Sequence, residues 1–532
     1  MKIYFPFSVL AFLLMAFSSQ SQNWSNAFVP AQYDVNGKYL GGTEVMSLTP
    51  HKGKLYAATS YVCDLDNSTY DLAGGTPVLV LDSANGQWRQ DILFSGILLI
   101  PPLKEIIFTK DYLGNTIQPD TLLITGPNNN KKHLFIYTKN DVTGEWIKDS
   151  ITTLAGNVET RSIGTHYDAV TGHQYIFIGV SDFGIWKGQY NAALPSKIQW
   201  ESVPEFVIPS KSRVPAMADV NGEMYLGITE TSTWTSRIFR RIDGVVPAYE
   251  QIFADSAADG LDIRGFTSVR NPNGTGEDLW FYWNDYFRRL DPQNNDTIIN
   301  ELKVSTDLSA QSGRVFSGII TAAYNDHSLF WKDPLTNDTV MLFGLQAMYD
   351  SAWLSLNPHP NIAGRSTDGM YYSRKQNGES ITYQLHYIVN NTPVAMDTLL
   401  ATRTICISPF PEDSNKVLYA GGYHTNLVWL NNTAWVYRGS FADIATTAHQ
   451  PMQQNSSFSV FPNPAQQSFT IQLPHHVSNL MITSLAGKVI YESKNVKGTS
   501  LIDCSNFPAG IYFVHVITDQ QITSDQKIVI AK

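Results

Sequence analysis

Short runs of alternating apolar and polar residues, separated by turn residues, recur through most of the chain. One phrase, a turn followed by an apolar strand, begins at Gly53, Gly172, Gly222, Asp278 and Lys416. A second phrase closes several units and ends in tryptophan, at Trp88, Trp146 and Trp200. Alternation with a period of two residues indicates half-buried β-strands. The pattern therefore predicts an all-β chain built from repeats of roughly 50 residues.

Repeats of this length, each made of several short strands, are typical of a β-propeller, in which small twisted sheets bury their faces by packing around an axis. The closing phrases resemble kelch repeats, although most units lack the double glycine of a true kelch blade. We predict seven blades, at about 40–92, 102–150, 158–204, 211–254, 262–302, 312–392 and 400–440. The sixth unit is long, and it either hides another blade or carries an insertion such as 345–365, so six or eight blades are the alternatives.

The C-terminal residues form a separate unit after a polar linker at 446–457. Its landmarks are Pro462-Asn463-Pro464, the turn that contains Gly487, the strand that begins at Gly510, and a basic-apolar end. In order and spacing they resemble the type A C-terminal sorting domain of the type IX secretion system of Bacteroidota. The resemblance implies a small β-sandwich at 458–532 that the outer-membrane secretion machinery recognises and that is then usually cleaved. The cargo would be released or attached to surface lipopolysaccharide.

Residues 1–21 have the pattern of a secretory signal peptide, with Lys2 before a short apolar run and with small residues at Ser19 and Ser21. The alternative is an N-terminal membrane anchor. No other apolar stretch is long enough to cross a bilayer, so no transmembrane segment is predicted in the mature chain. We expect the propeller to occupy 22–445 and the protein to pass through the periplasm and be secreted or attached to the outer-membrane surface.

Composition narrows the function classes. The formal charge of −10 argues against a general nucleic-acid binder. Cys63 and Cys406 fall in the first and last units and are predicted either to form a disulfide across the ring closure or to be separate buried thiols. Asp64, Asp66 and Asp71 share one loop, which is either a calcium site or a solvated loop. No cofactor is predicted, because no cofactor-binding motif is present.

A basic residue precedes the first strand of six units, and we refer to these six positions as the basic ring: Lys104, Arg161, Arg213, Arg264, Arg314 and Arg403. The intervals are 57, 52, 51, 50 and 89 residues, and the first unit has Glu44 at this place. Since the first strand of each propeller blade lines the axial channel, these side chains are expected to surround one opening. Guanidinium groups match carboxylate, sulfate and phosphate. In the alternative, each cation pairs with a nearby carboxylate, from Glu44, Glu159, Asp168, Asp219 and Asp262.

The resulting hypothesis is a secreted or surface-displayed binding module whose basic ring recognises an anionic ligand such as an acidic glycan. A second hypothesis is a glycan hydrolase or lyase that uses the same opening, with His166 or Asp168 in proton transfer. A third is a structural surface protein without a small ligand.

Overall fold

The computed structural model describes most of the chain, namely residues 23–61, 73–100, 102–128, 132–256, 262–324, 328–334, 336–356, 369–388, 399–424, 432–440, 459–473, 477–484, 488–496, 498–518 and 523–531. The chain divides between residues 443 and 444 into two units, each of them built from β-strands. The protein is therefore all-β, as the alternating pattern predicts.

The first unit begins with one strand and a short ribbon and continues with four antiparallel sheets. The early strands are β1 (Asn23–Phe28), β2 (Gln32–Tyr33) and β3 (Tyr39–Leu40). The first two sheets contain β4 (Glu44–His51), β5 (Lys54–Ser60), β6 (Thr76–Leu81) and β7 (Arg89–Phe94), then β8 (Leu103–Lys110), β9 (Thr116–Thr125), β10 (His133–Lys139) and β11 (Trp146–Thr153). The next two contain β12 (Thr160–Asp168), β13 (His173–Val180), β14 (Gly184–Tyr190) and β15 (Ile198–Trp200), then β16 (Ser212–Val220), β17 (Glu223–Glu230), β18 (Thr235–Ile242) and β19 (Ala248–Ser256).

Three further sheets complete the first unit. The fifth contains β20 (Arg264–Arg270), β21 (Glu277–Trp283), β22 (Tyr286–Asp291) and β23 (Thr297–Lys303), with a 3₁₀ turn at Pro292–Asn294. After helix α1 (Val304–Ser312), the sixth contains β24 (Phe316–Ala322), β25 (Ser328–Lys332), β26 (Thr339–Tyr349), β27 (Met370–Asn377) and β28 (Ser380–Tyr387), with α2 (Ser351–Leu356) between β26 and β27. The seventh contains β29 (Ala401–Ile407), β30 (Val417–Tyr423) and β31 (Val436–Ser440), with a 3₁₀ turn at Pro411–Asp413.

The seventh sheet takes its fourth strand from the other end of the unit. Strand β1 pairs antiparallel with β31, with Asn23 opposite Ser440, so the sheet has the order β1-β31-β30-β29. The apolar side chains of the first and seventh sheets share one core, which includes Leu48, Leu79 and Tyr419. Residues close to the start and the end of the unit are therefore joined by backbone hydrogen bonds.

The first strands of successive sheets lie next to one another. Contacts join β4 to β8, β8 to β12, β12 to β16, β16 to β20 and β20 to β24, and β29 contacts both the sixth sheet and β4. The second strands are buried along nearly their whole length, as in β17 and β21, whereas every residue of outer strands such as β11 and β19 is half-buried or exposed. This gradient follows from the sequence, since continuous apolar runs suit strands buried on both faces.

The long sixth unit forms one five-stranded sheet, and its described residues contain no additional sheet. Its first strand is interrupted. Strand β24 pairs with one half of β26, ending at Ala322 opposite Leu345, and β25 pairs with the other half, beginning at Ser328 opposite Phe343. Ala323 follows β24 with φ of 45° and still donates its amide to Gly344 of β26, and Tyr324 comes next.

The second unit contains two sheets. One is β32 (Ser459–Phe461), β33 (Ser468–Gln472) and β36 (Thr499–Asp503), and the other is β34 (Val477–Ser484), β35 (Val489–Val496), β37 (Gly510–Thr518) and β38 (Thr523–Ile530). Buried side chains of both sheets, among them Phe469, Ile482 and Val514, form its core. Among the described residues of the whole chain, no helix is long and apolar enough to cross a membrane.

Candidate functional site

The basic ring lies at the starts of first strands. Lys104, Arg161 and Arg213 are the second residues of β8, β12 and β16, and Arg264 opens β20. Arg403 is the third residue of β29, and Arg314 precedes β24 by two residues. Glu44, the residue that replaces a cation in the first unit, opens β4.

Three of the six cations converge on one tyrosine. The guanidinium carbons of Arg264 and Arg403 lie 4.2 and 4.0 Å from the ring centroid of Tyr324. Nη1 of Arg161 lies 3.4 Å from the Tyr324 hydroxyl oxygen. The tyrosine ring also packs against Met46 of β4 and against Leu99. Since these residues come from five separate parts of the unit, Tyr324 lies where its first strands meet.

Carboxylates accompany the three converging arginines. Arg161 pairs with Glu159, and Nη2 of Arg264 donates to Asp262 at 2.6 Å. Nε of Arg403 lies 3.5 Å from Glu44, whose side chain is also buried. The pairing alternative named Glu44, Glu159 and Asp262, and the structure places all three at these arginines. Its other two carboxylates, Asp168 and Asp219, have different partners that are described below.

The remaining three cations differ from one another. The Arg213 side chain is 34% exposed, and its Nη1 lies 3.4 Å from Asp262, which it shares with Arg264. Lys104 is half-buried, and no described residue forms a hydrogen bond or ion pair with its side-chain ammonium group. Arg314 donates to the Tyr349 hydroxyl and stacks beside Tyr349 and Tyr387, with ring distances of 5.7 and 5.9 Å.

The converging arginines influence one another electrostatically. Burial lowers the pKa of Arg264, and the positive charges of Arg161 and Arg403 add to this effect against the attraction of Asp262. A positive charge that is buried near two others favours a nearby anion or hydrogen-bond acceptor. Burial also lowers the pKa of Arg161, but the attraction of Tyr324, Glu159 and Asp262 outweighs burial, so that this pKa, in contrast, is raised.

No repeated position or motif in the sequence indicates Tyr324. It lies in an interruption of a first strand rather than at a repeated position, so the alignment of repeats contains no signal for it. Aromatic residues are common throughout the chain, at 12%, and one tyrosine in a turn does not stand out. Its place at the convergence of the arginines is visible only in the fold.

The catalytic candidates His166 and Asp168 lie at the other end of β12. His166 follows Arg161 by five residues, which corresponds to about 17 Å along an extended strand. Nδ1 of His166 contacts Asp219 at 2.9 Å and its Nε2 contacts Asp243 at 2.8 Å. Sequence analysis placed His166 and Asp168 with the arginines at one opening, but the strand separates them.

The His166 imidazole is fully buried and paired on both sides. Burial lowers its pKa, but the hydrogen bonds and charges of Asp219 and Asp243 outweigh burial and raise the pKa above its usual value. Carboxylates only accept hydrogen bonds, so two such contacts require a proton on each ring nitrogen. His51, at the end of β4, has the same arrangement, with Nδ1 at 2.7 Å from Glu105 and Nε2 at 3.0 Å from Asp141.

Asp168 belongs to a buried network centred on Arg241, a residue that sequence analysis did not single out. Arg241 contacts Asp168 at 2.9 Å, Glu205 at 2.7 Å and Asp243 at 2.6 Å. Burial alone would raise the pKa of Asp168, but hydrogen bonds from the Thr171 amide and from Arg241 lower it to about 2. Asp168 and Arg241 come from neighbouring sheets and hold each other in place, which is the arrangement of a structural network.

Most of the predicted metal and cysteine positions fall in stretches that the structure does not describe. Asp64, Asp66, Asp71, Cys63 and Gly487 lie outside the described residues. Within the described ranges, no group of histidine, cysteine and acidic residues is arranged to hold a metal ion. Cys406 is buried, and because Cys63 lies outside the described residues, both the disulfide and the separate thiols stay predictions.

The sorting motif begins at the edge of the second unit. The peptide bonds before Pro462 and Pro464 are cis. The Asn463 side chain accepts a hydrogen bond from the Val529 amide at 2.9 Å. Gly510 opens β37 opposite Ile530. The proline-containing segment is thus tied to the last strand of the chain.

Comparisons with known proteins identify the second unit. A family model for the secretion system C-terminal sorting domain matches residues 459–531. The ulvan lyase NLR42 of Nonlabens ulvanivorans is 31% identical over 88 residues, which make up 16% of this chain and 16% of that protein. The chain thus matches only a small part of that relative's length.

Among solved structures, Sqt1 of Saccharomyces cerevisiae aligns over 95% of this chain and 99% of its own, with 8% identity and a TM-score of 0.37. A similarity at this level carries no argument about the fold or the function. The family match, in contrast, covers the whole second unit from β32 to the last strand. Residues 459–531 are a type IX secretion system C-terminal sorting domain, and the protein is exported to the cell surface or secreted.

Proposed function

We propose that the first unit is a seven-bladed β-propeller that acts as a secreted or surface-displayed binding module for an anionic ligand such as an acidic glycan. The seven sheets, their adjoining first strands and the pairing of β1 with β31 support the propeller. Closure of the last blade by a strand from the other end removes a free edge from the ring.

The observation that carries the binding function is the convergence of Arg161, Arg264 and Arg403 on Tyr324. Cations drawn from separate blades produce a local positive field on a chain of net charge −10. Lys104 and the partly exposed Arg213 supply positive charge that is accessible to solvent. A ligand with several negative charges could contact these outer cations while one group reaches the inner arginines.

The similarity to a protein named an ulvan lyase also points toward glycans. The matched stretch is not much longer than residues 459–531, however, so it has the size of a sorting domain. It therefore gives little support to lyase activity in the first unit. The separation of His166 and Asp168 from the arginines also weakens the enzymatic alternative, whereas a structural role without a ligand remains the competing hypothesis.

Binding of the exported chain to acidic and neutral glycans, measured at low and high salt, tests this proposal. We expect binding to acidic glycans only, weakened by salt because exposed charges are screened. The double variant Lys104→Gln, Arg213→Gln should bind at least tenfold more weakly. Arg237→Gln is the matched control, since this arginine pairs with Glu230 on the neighbouring strand and lies outside the basic ring.

Two results would overturn the binding function. One is the absence of binding to any acidic glycan by a folded protein. The other is equal binding of acidic and neutral glycans that salt does not weaken. Circular dichroism of each variant distinguishes a lost contact from a lost fold.

A further inference from the structure

The buried part of the basic ring contains guanidinium nitrogens without acceptors. The residues Arg161 and Arg264 are only 7% and 6% exposed. Nε of Arg161 and Nη1 of Arg264 are fully buried, yet neither donates a hydrogen bond to a described residue. The buried oxygens Asp262 Oδ1 and Glu44 Oε2 accept none from the described residues either. A buried donor on a charged group that lacks an acceptor is costly, so such atoms usually face water or a ligand.

The local charges do not balance either. Four guanidiniums, those of Arg161, Arg213, Arg264 and Arg403, face three carboxylates, Glu44, Glu159 and Asp262. Asp262 serves both Arg213 and Arg264. One positive charge in this group therefore has no described carboxylate of its own, which is the charge that a single anionic group would neutralise.

Tyr324 limits what can reach these nitrogens. Its ring packs against Arg264 and Arg403, and its hydroxyl faces Arg161, so the tyrosine fills the place where the first strands meet. Polymer chains cannot pass through a point that a buried side chain occupies. Arg213 is the one arginine of this group that is substantially exposed, so the proposed approach of a small group is from its side.

We propose that Arg161 Nε and Arg264 Nη1 bind one compact anionic group, a carboxylate or a sulfate, beside Tyr324. This inner site rests on the proposed binding function and specifies it further. The ligand inserts one charged substituent or chain end, and the remainder of the molecule lies over Arg213 and Lys104. Guanidinium groups bind both oxyanions through paired N–H donors, so the experiment must distinguish carboxylate from sulfate.

The test uses the exported chain, with sodium glucuronate and sodium sulfate as probes and sodium chloride at equal ionic strength as the reference. We expect one of the two probes to raise the thermal unfolding midpoint by several degrees, because a ligand that binds only the folded state stabilises it. Isothermal titration should give one site per chain. Arg264→Lys keeps the charge but removes Nη1, and should weaken binding at least tenfold.

Arg288→Lys is the matched control. Arg288 also stacks on a tyrosine, at 5.5 Å from the Tyr286 ring, and its Nε also lacks an acceptor, but it lies on the third strand of its sheet. This variant should bind the probe as the unchanged protein does. If Arg264→Lys fails to fold, the stabilisation of the unchanged protein and its loss in Arg161→Lys decide the question.

The outcomes separate the inner site from the binding function. Binding of an acidic glycan that is unaffected by Arg264→Lys and by Arg161→Lys overturns the inner site and leaves the outer cations as the binding surface. Stabilisation equal to that in chloride for both probes also overturns it. Failure of every acidic glycan and both small anions to bind overturns both proposals.

Discussion

The two ends of β12 use buried charge in opposite ways. At the arginine end, around Arg161 and Arg264, guanidinium nitrogens are buried without acceptors. At the histidine end, around His166 and Arg241, the ring nitrogens and most of the guanidinium donors meet carboxylates at 2.6 to 2.9 Å. Saturated networks hold sheets together, whereas unsaturated ones have capacity left for a ligand. Asp219 Oδ1 at the histidine end also lacks a described donor, so the contrast concerns the cations. Under the proposed binding function, the arginine end serves recognition and the histidine end serves stability.

The largest effect on this contrast is expected from replacing Arg241, the shared cation of the histidine end. Arg241→Met leaves Asp168, Glu205 and Asp243 buried or half-buried without their shared cation. We expect the free energy of unfolding, measured by urea denaturation, to fall by about 3–5 kcal/mol, the usual cost of breaking a buried ion pair from one side. Arg237→Met, on the same strand but partly exposed, should cost no more than about 1 kcal/mol. A loss below about 1 kcal/mol for Arg241→Met would contradict a structural role.

A smaller effect, with a defined pH dependence, is expected at His166. Since the folded-state pKa of this histidine is raised, its contribution is fully present below the unfolded value of about 6.5 and is lost as the pH rises through the folded-state value. His166→Gln should therefore cost roughly 2 kcal/mol at pH 6 and clearly less at pH 9. Urea denaturation of both proteins at the two pH values measures this difference.

His173→Gln is the control for this pH effect, because the His173 ring contacts the Gln189 amide rather than two carboxylates. Its cost should be small and nearly the same at both pH values. A cost of His166→Gln that grows with pH would show that the imidazole is neutral in the folded protein.

The smallest effect concerns two tyrosine hydroxyls, one at each end. The Tyr249 hydroxyl donates to Glu205 at 2.6 Å, whereas the one contact of the Tyr324 hydroxyl among the described residues is with Arg161, at 3.4 Å. Tyr249→Phe should cost about 1.5 kcal/mol, the lower end for hydrogen bonds to charged groups, and Tyr324→Phe less than about 1 kcal/mol. Thermal denaturation of both variants gives the comparison. Equal costs would mean that the arginine end is as tightly bonded as the histidine end.

Much of this organisation could be predicted from repeats. The spacing of basic residues placed all six cations at or just before the starts of first strands, because a repeated position in sequence becomes a repeated position in the fold. The acidic partners Glu159 and Asp262 were also foreseeable as neighbours, since each lies two residues before its arginine. The alternating pattern predicted an all-β chain for the same local reason.

The remaining features depend on geometry that local patterns do not encode. Tyr324 lies between β24 and β25, and this break between two strands does not recur among the described strands of the other units. His166 was grouped with Arg161 because the two are close in sequence, yet an extended strand carries them about 17 Å apart. Arg241 lies on the third strand of its sheet, but its partners Asp168 and Glu205 come from outside that sheet, so they could be identified only after the strands were placed together.

The pairing of β1 with β31 has a consequence for the order in which the chain matures. Residues 23–28 leave the ribosome first among the strands, but their partner at 436–440 is made more than four hundred residues later. The seventh sheet therefore stays incomplete until β31 has been made, and the sorting domain is synthesised after that strand. A chain that presents its sorting domain has already produced every described strand of the first unit.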